Sequence, residues 1–73
     1  MPEDRRFSVW QFFEDGTNEQ VRSDVSVAEA MLAVEHYTDN VAAKIGVTRR
    51  VIVVDDGDCI NFEWKYGEGV TFR

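Results

Sequence analysis

Apolar residues recur along the chain with two different periods, and the change of period divides it into elements. Phe7-Ser8-Val9-Trp10-Gln11-Phe12-Phe13 is dense in aromatic residues and Val, which predicts a strand. Phe7, Val9 and Phe13 share one face of it; Trp10 and Phe12 share the other. Glu14-Asp15-Gly16-Thr17 reads as a turn, because Gly16 accepts positive φ and Asp15 can bond the backbone that follows it. A polar strand is predicted from Glu19 to Ser23. Val21 is its only apolar residue, so it suits a sheet edge.

The period then changes to that of a helix. Ser26-Val27-Ala28-Glu29 fits a capping box. Val27, Met31, Val34, Val41 and Ile45 form one helical stripe, with Ala30, Tyr37, Thr38 and Ala42 beside it. Asp39-Asn40 is the weak point, where a kink or early end is expected. Gly46 stands where a left-handed cap belongs, and Lys44 near the negative helix end.

Arg50-Val51-Ile52-Val53-Val54 is a continuous β-branched run, as in a strand buried on both faces. Asp55-Asp56-Gly57-Asp58 is a hairpin turn signal. Ile60, Phe62, Trp64 and Tyr66 then alternate with Cys59, Asn61, Glu63 and Lys65, which predicts a strand with one dry face. Gly67-Glu68-Gly69 breaks it, and Val70-Thr71-Phe72 is a short extension or a segment that folds back.

These elements predict a single small α+β domain over residues 1–73, in the order ββαββ. The sheet is expected to have four strands, mainly antiparallel, in the order 2-1-3-4. The polar strand takes an edge, and the two strands apolar on both faces take the centre. One helix packs on one face. The expected core is Phe7, Val9, Phe13, Met31, Val34, Val41, Phe62 and Trp64, with one face of residues 51–54. The ββα order resembles small antitoxin-like domains related to HicB. The glycine–cysteine signature of that family is missing and the last two strands are placed differently. The resemblance is one of shape and implies no function.

One helix covers one face of such a sheet, so Trp10 and Phe12 are left on the other. Burying a side chain of this size is worth about 1.5–3 kcal/mol, a notable sum for a domain with few residues to bury. The expected remedy is an interface built on Trp10, Phe12 and Phe72, closed by a second copy or another protein.

Composition narrows the partners. The 73 residues carry 8 basic and 14 acidic side chains, for a net charge of −6. That charge repels nucleic acid and anionic membrane surfaces, so neither is an expected partner. It suits a basic partner instead, and Asp55, Asp56 and Asp58, with the acidic helix face of Glu29, Glu35 and Asp39, are the candidate contacts for an acidic regulator or inhibitor. Those aspartates lack the spacing of a calcium loop. The arginine pairs Arg5-Arg6 and Arg49-Arg50 are expected to meet acidic turns, the first near Asp55 to Asp58 and the second near Glu14 and Asp15.

One cysteine, Cys59, rules out an internal disulfide framework, and the charged start does not read as a signal peptide. The expected compartment is cytoplasmic. A dyad of Cys59 with the sole histidine, His36, is disfavoured. Three aspartates precede the cysteine, the opposite of the electropositive surroundings a reactive thiol needs, and no glycine-rich loop is placed to hold an oxyanion. No cofactor and no metal are expected. The reading is therefore a non-enzymatic interaction module, expected to pair with a second copy through the free sheet face or an edge strand, or with another protein. A small-molecule site between subunits, using His36, Tyr37 or Arg49, is the weakest alternative.

Overall fold

A computed structural model describes residues 6–57 and 59–72, the last by its backbone alone. Strands β1 (Phe7–Phe13) and β2 (Asn18–Val25) precede helices α1 (Val27–Asp39) and α2 (Val41–Lys44). Strands β3 (Thr48–Asp55), β4 (Ile60–Lys65) and β5 (Gly69–Phe72) follow. The sheet order is β2-β1-β3-β4-β5, and every neighbouring pair is antiparallel. The α+β class and the 2-1-3-4 order are as expected. The strand count is five, not four, because Val70-Thr71-Phe72 pairs with β4. Gly67 and Gly69, at φ +83° and +84°, make the reversal possible.

The helical segment starts as its sequence dictates. The Glu29 N–H donates to the Ser26 Oγ at 3.3 Å, and the Ser26 N–H donates to the Glu29 carboxylate at 3.5 Å. It does not run unbroken to Gly46. Asn40 is extended (φ −82°, ψ 176°), and its side chain accepts the Ala43 N–H at 2.9 Å, capping a new short helix. Asn competes for backbone donors in this way, so it ends one helix and starts another.

The helix turns to the sheet a face other than the predicted apolar stripe. The buried helical residues are Ala30, Ala33 and Val34, with Ala43 on α2. Met31 is 39% exposed and Val41 73%, so neither belongs to the core; Phe13 and Trp64 are half-buried. Alanines let the helix axis come close to a sheet already filled by β-branched and aromatic side chains. Larger groups would hold it off.

The core is the row-by-row match of the sheet's inner face to those alanines. Val9, Val53 and Phe62 lie in one cross-strand row, and Gln11, Val51, Trp64 and Val70 in the next. Val9 and Val51 are fully buried. Gln11 closes the polar end of this layer. Its amide donates to Glu19 at 2.8 Å and its carbonyl accepts from the buried Thr48 hydroxyl at 3.4 Å. Edge strand β2 is bent by two register shifts against β1, with Asp24 at φ +55°. Bends and charges of this kind discourage pairing with another sheet. No helix of the described residues is long and apolar enough to cross a membrane.

Candidate interaction surface

Side chains alternate across a strand, so the register that fills the inner face also defines the outer one. Trp10, Ile52, Glu63 and Thr71 form one row on that outer face, and Phe12, Arg50 and Lys65 the next. No second layer covers it among the described residues. Trp10, Phe12 and Val54 are half-buried, and Ile52 is buried. The structure thus brings Trp10 and Phe12 to one surface. The side chain of Phe72 lies outside the described residues.

An ion pair sits in this apolar surface. Glu63 is 2% exposed, and the Arg50 Nε donates to its carboxylate at 2.5 Å. The Lys65 ammonium stands 3.9 Å from the same oxygen. The Arg50 guanidinium also lies 5.2 Å from the centre of the Phe12 ring, in cation–π range. Alternation along β4 places Glu63 on the polar side of the strand, where solvent is the default. Only the strand order puts it diagonal to Arg50. The sequence signal is a lone acidic residue on a strand whose neighbour in the sheet begins with two arginines. It becomes readable once the register is known.

The expected pairing of Arg49 and Arg50 with Glu14 and Asp15 is therefore replaced. Arg50 goes to Glu63, while Arg49 stacks 5.1 Å from the centre of the Tyr66 ring. The β1–β2 turn does lie at this end of β3, where the Glu14 N–H donates to the Val47 carbonyl at 3.0 Å, but β4 flanks β3 on its other side and offers both an acid and an aromatic. Arg6 pairs with Asp24 at 3.4 Å; Arg5 lies outside the described residues.

The acidic turn has a local role. The Asp55 carboxylate accepts the Gly57 N–H at 2.9 Å and the Cys59 N–H at 3.1 Å, so it closes the hairpin. Asp56 is exposed, and Asp58 lies outside the described residues. Asp15 closes the first hairpin in the same manner. The Thr17 hydroxyl donates to it at 2.6 Å and the Thr17 N–H at 2.9 Å. Those hydrogen bonds, the hydroxyl's first, hold its pKa below the ordinary aspartate value.

His36 and Cys59 are not joined. The His36 ring meets Tyr37 edge-on at 4.7 Å and lines an open depression of about 340 Å³ with Leu32, Glu35, Asp39 and Asn40. Cys59 is exposed, with its thiol 3.8 Å from the Gly57 carbonyl. Among the described residues no three His, Cys, Asp or Glu side chains are grouped to hold a metal ion. The largest exposures of apolar side chains are on the other side of the molecule, at Val27, Leu32, Val41, Ile45 and Val70.

No family model matches this chain, and neither the curated proteins nor the solved structures contain a match to it.

Proposed function

We propose that this protein is a non-catalytic interaction module that works as a homodimer through its outer sheet face. One observation carries the reading: a sheet face bearing Trp10, Phe12, Ile52 and Val54 has no second layer among the described residues. A sheet stacked on its own copy is the simplest way for a 73-residue chain to enlarge its core. A two-fold axis makes one patch serve as both halves of the contact. The Arg50–Glu63 pair supports the same reading. Its carboxylate is held within the face while the guanidinium stays half-buried at the surface, so the pair can fix the register of a partner. The separation of His36 from Cys59, each engaged with its own neighbours, supports the non-catalytic part.

The test is sedimentation equilibrium across a concentration series. The expected result is a dimer at micromolar protein that is insensitive to salt, and a folded monomer for Trp10→Glu with an unchanged circular dichroism spectrum. A monomer at every concentration, or a dimer that survives Trp10→Glu, overturns the proposal.

A further inference from the structure

The helical side of the sheet is only partly roofed. Five strands spaced about 4.8 Å apart place the outer strands about 19 Å from each other, whereas one helix is about 10 Å across. Helix α1 lies over β1, β3 and β2, and α2 over β3. Phe62 of β4 still packs into the core beneath α1, and Trp64 and β5 lie toward the open side. On that side β4 and β5 present the half-buried Trp64 and, in the same row, Val70 at 51% exposure. Tyr37 reaches Arg22 of β2, 5.9 Å from the ring centre, which sets the β2 side of α1. Helical geometry sends Val27 and Met31 out of the other flank, toward β4. Val27 is 54% exposed. The result is a shallow apolar channel floored by Trp64 and Val70, with one helical wall.

We infer that this channel receives an amphipathic helix of a partner protein, apolar on one face and basic along its flanks. The rim chooses the charge. Glu35 stands above Met31 on the wall, Glu68 in the β4–β5 turn at one end, and Asp56 in the β3–β4 turn at the other. All three are exposed. Of the nearby cations, Lys44 pairs with Asp39 at 3.6 Å, and Arg49 stacks on Tyr66 and keeps its charge. The same rim disfavours a second copy as occupant. The outer face of α1 carries Glu29, Glu35 and Asp39, so a copy's own helix would bring carboxylates to carboxylates. A helix also fits better than an added strand. A strand on β5 would satisfy backbone groups but leave Trp64, Val70 and Val27 uncovered. A segment of about 12 residues spans the length of β4. This surface is distinct from the outer face of the proposed dimer, so a dimer would present two such channels.

The test uses synthetic helical peptides of about four turns. One has a leucine face flanked by lysines, a second replaces the lysines with glutamates, and a third scrambles the first to disperse the leucines. Each is titrated into the full chain carrying Trp10→Phe, with Trp64 emission as the readout. The expected result is saturable binding of the lysine peptide with a blue shift, weakening about tenfold or more from low to high salt. The other two peptides should bind at least about tenfold less well, a difference of about 1.4 kcal/mol. Val70→Asp and Met31→Asp should each remove the binding while leaving the circular dichroism unchanged. Three results overturn the inference: no saturation by the lysine peptide, equal binding of the scrambled peptide, or binding retained in both aspartate variants. A dimer that Val70→Asp dissociates but Trp10→Glu does not also overturns it, because a second copy would then occupy the channel.

Discussion

Removing Arg50 should cost more stability than removing Glu63, although the two share one ion pair. The asymmetry follows from exposure. The Glu63 side chain is 2% exposed and that of Arg50 34%. Glu63→Leu deletes a desolvated carboxylate and leaves a guanidinium that can turn to water or stay on the Phe12 ring. Arg50→Met leaves the carboxylate buried, with the Lys65 ammonium 3.9 Å away. Breaking a fully buried pair costs about 3–5 kcal/mol when a charge is stranded. Here one partner reaches solvent, so about 2–3 kcal/mol is expected for Arg50→Met. For Glu63→Leu about 0–1 kcal/mol is expected, because the lost hydrogen bonds are offset by the lost desolvation cost. The double variant should lie near the single Glu63→Leu, so the cycle has a large coupling energy. Urea denaturation at fixed protein concentration measures all four proteins. At about 4–8 °C per kcal/mol, Arg50→Met should also lower the midpoint of thermal unfolding by about 10–20 °C. Equal losses from the two single variants, or a greater loss from Glu63→Leu, would refute the argument that burial of the carboxylate sets the cost.

Two further outcomes follow from the turns. Gly46→Ala should destabilise the fold more than Gly16→Ala in urea denaturation. Both glycines have positive φ, which costs another residue about 1–2 kcal/mol, but only at Gly46 would the new Cβ meet a ring, 3.1 Å from Tyr66. Equal losses at the two sites would show that Tyr66 does not rest on Gly46. Asp15→Asn should destabilise the protein at neutral pH, and the difference from the unaltered chain should fade as pH falls. The folded-state pKa of Asp15 is depressed, so its contribution is present above the unfolded value of about 3.9 and lost as pH drops through the lower folded one. A stability difference that is constant from pH 7 to acid would contradict the Thr17 hydrogen bonds as its source.

The helix start was legible because a capping box is a local device: Ser26 and Glu29 are three residues apart and need nothing else. The inward face of the same helix was not. Hydrophobicity favours Met31 and Val41, but closeness to a sheet filled by Val9, Val51 and Phe62 selects Ala30 and Ala33. Periodicity cannot register that competition, because the space available is a property of the opposing layer. Trp10 and Phe12 were readable as one surface from alternation alone, whereas Glu63 in that surface was not.

By itself, then, the sequence determined the succession of elements, the two aspartate-closed hairpins, the polar edge strand and the overall negative charge. Each of these rests on interactions within a few residues, or on a count. Tertiary structure alone decided the fifth strand, the Arg50–Glu63 pair, the stacking of Arg49 on Tyr66 and the uncovered ground over β4 and β5. These depend on which strands become neighbours and on how far one helix reaches across them. Neighbours far apart in the chain are chosen by the combined burial of the whole sheet, and no local pattern of residues carries that information.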